Sequence, residues 1–230
     1  MAGKRHHIST AESMFAGDFY HRHNENSQRG IRLPHMWLLR IAPAAAAATG
    51  VAAAQARGAA GDMTINGTLA VAGVSIHDFA RNVTIVSAGA GDTTQVATVY
   101  GTDIFDDVLI ENITFNGVTT VQGNKAFKTV TRIAVSALTA GNISAGVGIK
   151  FGFPYKCVNV SDVMAARVAG AIDAGTVVAA VATSPATAIT GDVRGTYTPA
   201  GTMNGTNLMT VLLYLNDTTE NAGGVAQFVG

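Results

Sequence analysis

Between Asp107 and Val135 apolar and polar positions alternate with a period of two. Val108, Ile110, Asn112 and Thr114 fall on one side of an extended chain, and Leu109, Glu111, Ile113 and Phe115 on the other. Asn116-Gly117 comes next, a pair that tolerates the positive φ of a type I′ turn. A β-branched run follows at 118–121, then Gly123-Asn124. A second alternation sets Phe127, Thr129, Thr131, Ile133 and Val135 against Lys128, Val130, Arg132 and Ala134. The pattern predicts three antiparallel strands with short turns, with no catalytic signature among them.

The same language runs through most of the chain from Gly61. Residues 63–76 predict a hairpin turning on Asn66-Gly67, and 82–87 and 95–100 predict strands on either side of a Gly-rich hairpin loop at 88–94. Residues 63–73 echo 113–123, each reading as strand, Asn-Gly, strand, Gly. Further strands are expected at 137–144, 158–166, 168–171, 175–182 (buried type), 208–215 and, at an edge, 225–229. Short strands at regular spacing with Gly/Asn turns predict an all-β fold, a β-sandwich or barrel-like antiparallel body over 61–230, with room for two β subdomains divided near 155.

Residues 1–60 read differently, as an extended basic N-terminal arm and an Ala-rich connector whose Ala tract is either a short helix or a flexible low-complexity link. A short helix capped by Ser9 or Thr10 interrupts an otherwise polar stretch. Trp37-Leu38-Leu39-Arg40-Ile41 predicts an anchor that packs on the body or on a neighbour, because Trp and Arg are preferred contact residues. The stretch from Met36 imitates a signal peptide, but it is internal, and Arg40 and Pro43 break its apolar run. It is also too interrupted to span a bilayer.

Composition adds one asymmetry. Charged residues make up only 13% of the chain and formal net charge is zero. Residues 1–57 nevertheless carry seven Lys/Arg against three acids, and the remainder eight against twelve. A weakly charged body has little repulsion to keep copies apart, which points to an assembled protein. A basic arm points either to an acidic docking partner, a neighbouring subunit or a nucleic acid, or equally to a solvated tail.

Candidate chemistry is sparse. Cys157 is the only cysteine, so no intrachain disulfide forms, and a small buried apolar role is expected for it. His6, His7, His21, His23 and His35 lack zinc spacing and companion ligands. Asp103, Asp106, Asp107 and Glu111 form the densest acidic group; Asp106-Asp107 falls at an expected hairpin turn, so turn formation is preferred to Ca²⁺ binding. The Asn-x-Ser/Thr sequences arise in Asn- and Thr-rich strands and are not read as glycosylation sites. No Walker loop, His-Glu-x-x-His, Gly-x-Ser-x-Gly or paired-Cys pattern occurs. No catalytic residue, cofactor or metal is expected, and an enzyme is the least favoured class.

Several stretches carry a resemblance: Ala80-Arg81-Asn82-Val83-Thr84-Ile85, Tyr100-Gly101-Thr102-Asp103, the run from Glu111 through Gly117, Thr119–Gly123 and Lys125–Ile133, and Gly191–Ala200 with Asn204-Gly205-Thr206. In these the body resembles tailed-bacteriophage virion proteins, in particular head decoration (cement) proteins. The resemblance implies a structural role on the capsid surface. The protein would bind the major capsid protein or other virion proteins, as a homo-oligomer with a trimer favoured, without membrane or nucleic acid. A tail, tail-tube or head-fibre protein stands as an alternative, and a carbohydrate-binding adhesin as a second. On this reading Trp37, Leu38, Leu39, Arg40 and Ile41 are the partner-binding residues.

Overall fold

The computed structural model describes residues 35–181 and 191–215. The expected N-terminal helix, His6, His7, His21, His23 and the 225–229 strand lie outside the described residues. The fold is antiparallel β, curled into a half-barrel. Its strands are β1 (His35–Ile41), β2 (Ala47–Gln55), β3 (Gly61–Asp62), β4 (Ala70–Val71), β5 (Val74–Ser87), β6 (Val96–Thr102), β7 (Val108–Thr114), β8 (Val121–Val135), β9 (Ile143–Gly152), β10 (Val163–Val168), β11 (Ala171–Ile172), β12 (Thr176–Val178), β13 (Thr196–Thr198) and β14 (Met209–Leu215). A ten-stranded sheet runs β12-β13-β9-β5-β8-β6-β7, with β2 on β9, β3 on β8 and β4 on β5; a four-stranded sheet runs β1-β14-β10-β11.

The stretch 107–135 forms two strands rather than three. β8 continues straight through Gly123-Asn124, and β6 lies between β8 and β7, so the expected hairpin ladder is absent. Only one bridge, Asn116↔Thr119, survives from it. The turn there is closed by the Thr119 N–H donating to the Asn116 carbonyl at 3.0 Å. Gly117 alone has positive φ, +57°, so the turn is centred on Gly117-Val118 with the sign pattern of type II′, not I′. The β7 alternation fits the sheet on its other side: it pairs with β6 from Thr102↔Val108 to Val96↔Thr114. Residues 103–107 make the loop of that hairpin, as the acidic cluster predicted. The Asp103 carboxylate accepts the Phe105 and Asp107 N–H groups at 2.8 and 3.1 Å.

The type I′ signature sits elsewhere, at two Ala-Gly pairs. Ala72-Gly73 has φ of +51° and +79° and joins β4 to β5; Ala169-Gly170 has +50° and +83° and joins β10 to β11. The Asn66-Gly67 hairpin does not form. That segment lies along β2 instead, with Gly67 N and Leu69 N donating to Val51 and Gly50 carbonyls at 2.9 and 2.8 Å and Asn66 Oδ1 accepting from Ala53 N at 3.0 Å. The echo between 63–73 and 113–123 therefore does not fold alike. Residues 137–142 are loop, and 88–94 is no hairpin loop, since β8 separates β5 from β6. Of the strand expected at 175–182, the described residues 175–181 contribute only the short β12, whose positions are exposed or half-buried because it lies at the sheet's edge.

The expectation of an arm and flexible connector through residue 60 fails for 36–55. β1 belongs to the four-stranded sheet and the Ala tract forms β2 against β9. Two contacts explain the order of the segment between them. The buried Arg81 guanidinium donates to the Ala44 carbonyl at 2.7 Å and the Ala45 carbonyl at 3.4 Å, and the Asp78 carboxylate accepts from Ala44 N at 2.7 Å. Nor does the body divide near 155. One core lies within the curl of the large sheet, around Val83, Val99, Leu109, Phe127, Ile133 and Val147. The other is shared by residues from both halves of the chain: Leu39, Phe151, Phe153, Cys157, Tyr197 and Val211.

Two stability predictions follow from the turns. Gly117→Val forces a β-branched residue to φ +57° and places its Cβ 2.7 Å from the Ala90 carbonyl oxygen, so unfolding free energy should fall by roughly 2 kcal/mol or more, read from the denaturant midpoint. Ala72→Asn and Ala169→Asn put a residue tolerant of left-handed backbone where alanine is strained; each should gain about 0.5–1 kcal/mol, and a lower melting temperature in both would contradict the turn assignment.

Candidate functional site

Across the middle of the large sheet the hydrogen-bond ladder breaks twice in one row. In β8, Val83 of β5 faces three residues, Gly123, Asn124 and Lys125, between the pairs Thr84↔Gln122 and Asn82↔Ala126. In β9, Asn82 faces Gly148, Ile149 and Lys150, between Val83↔Val147 and Arg81↔Phe151. Such bulges release backbone groups from the ladder and re-aim side chains. Here side chains take over the backbone's partners. Glu111 Oε1 of β7 accepts the Asn124 N–H at 2.5 Å and the Lys125 N–H at 3.3 Å. Asn82 Oδ1 accepts the Lys150 N–H at 3.1 Å while its Nδ2 donates to Gln122 Oε1 at 2.8 Å. Lys150 Nζ then spans the bulges, donating to the Gly123 carbonyl at 2.8 Å and Asn124 Oδ1 at 3.1 Å.

Gly123 is required by this closure. A Cβ there would lie 2.6 Å from Glu111 Oε2. Above the row opens a cleft of about 370 Å³ whose polar lining includes Thr84, Thr120, Gln122, Lys150 and Thr198.

The bulge row borders a set of buried charges. Glu111, Lys125, Asp192, Asp103 and Arg194 are all nearly inaccessible to solvent. Burial raises the Glu111 carboxyl to about 7, against the Asn124 and Lys125 N–H groups and the Lys125 and Lys150 charges, which pull it down. Burial likewise lowers Lys125, against the carboxylates of Glu111 and Asp192. Asp192 Oδ2 accepts the Ala126 N–H at 3.1 Å and Oδ1 the Arg194 N–H at 2.9 Å. Arg194 pairs with Asp103, and its guanidinium stands 4.9 Å from the Phe105 ring centre.

The residues expected to bind a partner are divided by the pleat of β1. Trp37 and Ile41 are half-buried against the second core, Leu39 is within it, and the Trp37 ring meets Tyr155 edge-on at 5.1 Å. These three are committed to holding the strand. Leu38, 54% exposed, and Arg40 point outward beside Met36. Neighbouring strands extend that outer face. Ile172, 82% exposed, is opposite Arg167, and Ala165 is opposite Leu212, with exposed Met164 at the β10 bulge. Leu38 is among the residues that the sequence singles out; exposed Met164 and Ile172 are not, since exposure at 172 depends on a two-residue strand that periodicity does not reveal.

Cys157 is fully buried in the second core, its thiol pushed up to about 12 first by burial and then by Asp162. The Gly-rich loop wraps a carboxylate of its own. Asp92 accepts the Ser87 hydroxyl at 2.5 Å and the Ala140 and Gly141 N–H groups at 2.8 and 3.1 Å, which hold it below the usual carboxylate range. Among the described residues no group of three or more His, Cys, Asp or Glu side chains is placed to hold a metal, and no helix is long and apolar enough to cross a membrane. The chain matches no family model, no curated protein and no solved structure.

His77 supplies a pH test. It is buried, its Nδ1 donates to the Phe127 carbonyl at 2.8 Å, and Nε2 has no partner. Burial first, then the charges of Arg81 and Lys128, lower it from 6.5 to about 4, against the Phe127 bond and Asp78. The unfolded chain therefore binds more protons between these values. This group's contribution to stability is complete above pH 6.5 and is lost as pH falls through 4, by about 3 kcal/mol. Glu111 runs the opposite way, its contribution declining as pH rises from 4.5 to about 7. The difference in unfolding free energy between wild type and His77→Gln isolates the histidine and should change by about 3 kcal/mol between pH 7 and 4. A constant difference would refute the buried neutral imidazole.

Proposed function

We propose that this chain is a structural virion protein of a tailed bacteriophage, a head decoration (cement) protein that binds the assembled capsid and stabilises contacts between major capsid subunits. The observation that supports this reading best is the outward face of the four-stranded sheet. Met36, Leu38, Met164 and Ile172 stand exposed there, with half-buried Leu212 and Tyr214 between them, and Arg40 and Arg167 as its cations. A run of solvent-facing apolar side chains with few charges is the composition of a protein contact, not of a free surface. The zero net charge of the chain favours close packing of copies, as in a homo-oligomer; the trimer is the form that the resemblance to decoration proteins implies. Many modest contacts on a symmetric shell add through avidity, so no single interface has to be large.

Electron cryomicroscopy of the intact particle tests the assignment. The expected result is density for this body on the shell, with the β1-β14-β10-β11 face turned to a neighbouring subunit. Density in the tail would replace decoration by a tail role, and absence from the particle would refute a virion protein altogether. In a binding assay on particles, Leu38→Glu combined with Ile172→Glu should lower occupancy roughly tenfold or more while leaving thermal unfolding unchanged, because both side chains lie outside the core. Full occupancy by the double variant would remove this face from the contact.

A further inference from the structure

The buried charges beside the bulge row are arranged for chemistry that a structural protein can perform once, on itself. Lys125 is fully buried, and the two carboxylates whose charges act on its ammonium are Glu111 and Asp192. Both are fastened to the same three-residue segment of β8. Glu111 accepts the N–H of Lys125 itself, and Asp192 accepts the N–H of the next residue, Ala126. Lysine, acceptor carboxyl and proton carrier are thus held together by main-chain hydrogen bonds in a site closed to water.

We propose that Lys125 and Asp192 become joined by an intramolecular isopeptide bond, formed without cofactor, with Glu111 as the acid–base group. In the reactive state the amine is neutral and both carboxyls are protonated. The Lys125 Nζ lone pair attacks Asp192 Cγ, forming the C–N bond. Glu111 takes up an amine proton and delivers one to the departing Asp192 oxygen, which leaves as water. Glu111 ends as it began, and amine plus carboxylic acid have become amide plus water, with no oxidant or reductant consumed.

The surroundings favour each stage. Burial lowers Lys125 and raises Glu111 to about 7, so transfer of a proton from ammonium to carboxylate, prohibitive in water, is eased here. The Ala126 and Arg194 N–H groups lie 3.1 and 2.9 Å from Asp192 Oδ2 and Oδ1 respectively. Whichever oxygen is retained therefore has one N–H to stabilise its charge in the tetrahedral intermediate, and the other N–H holds the departing oxygen. Glu111 also accepts two N–H groups, but it holds its proton near neutrality, which suits the carrier and not the acceptor. The exclusion of water protects the intermediate from hydrolysis.

Intact-mass spectrometry of the denatured full-length protein tests this. The mass should fall short of the sequence mass by one water, and proteolysis should yield a branched peptide linking Lys125 to Asp192. Glu111→Gln should slow formation roughly a hundredfold or more, leaving the full mass. Asp192→Ala should abolish the loss, and Asp192→Asn should give the same crosslink by releasing ammonia. The wild-type measurement needs no variant to fold, so a wild-type chain of full sequence mass overturns the proposal. A branch through Glu111 instead of Asp192 overturns the assignment of roles.

Discussion

The large sheet depends on how the backbone amides of residues 124 and 125 are satisfied. A buried N–H without a partner costs more than a typical hydrogen bond contributes. Where β8 steps out of register with β5, two N–H groups leave the ladder, the part-buried one of Asn124 and the buried one of Lys125, and the Glu111 carboxylate from β7 receives them. This lets β8 pair with β5 along one part of its length and β6 along another, while β7 stays on the far side of β6. The curl follows from that arrangement. The same arrangement drives a carboxylate into the interior beside Lys125, so the reactive cluster is a by-product of closing the sheet.

The legibility of this fold from sequence divides along a physical line. Period-two alternation reports which face of a strand is buried, and it placed β7, the C-terminal part of β8, β6 and β14 well. It carries no information on which strand lies next to which. Asn116-Gly117 marked a true reversal, but β6 comes between the two arms, so a local signal for a hairpin became a splayed turn. Gly123-Asn124 marked a true irregularity as well. It is a bulge and not a turn because flanking residues 121–122 and 126–127 remain paired to β5. The Ala tract was misjudged for a related reason: alanine has no strand preference of its own, and β2 is held by partners distant in sequence, β9, the 67–69 segment and, at its entrance, Arg81.

The candidate sites show the same division. Trp37, Leu38, Leu39, Arg40 and Ile41 were legible as an anchor, and the pleat of β1 then sorts them into three that hold the body and two that face outward. The buried cluster was not legible: Glu111 stood out only as part of an acidic group at a turn, and Lys125 and Asp192, 67 residues apart, read as ordinary polar positions in strands or turns. Arg81 and Arg194 lie within stretches that carry the resemblance, and nothing local distinguishes them from surface arginines. Their burial depends on carbonyl and carboxylate partners that only the tertiary fold supplies.

The proposed docking face and the buried cluster impose different demands, and the fold keeps them apart. A contact surface must be exposed and tolerant of adjustment, as the outer side of a four-stranded sheet with a short edge strand is. A condensation between an amine and a carboxyl needs exclusion of water and fixed geometry, and the interior of the larger sheet provides both. A covalent tie between β8 and the segment leading to β13 would restrict the unfolded chain as a disulfide does, by removing conformations it could otherwise sample. With a single cysteine the chain has no disulfide route to that end. Burying a lysine between two carboxyls carries a large desolvation cost and is weak support for stability while the groups remain ionic. Conversion to an amide removes two of the charges, and with them the reason the cluster is costly.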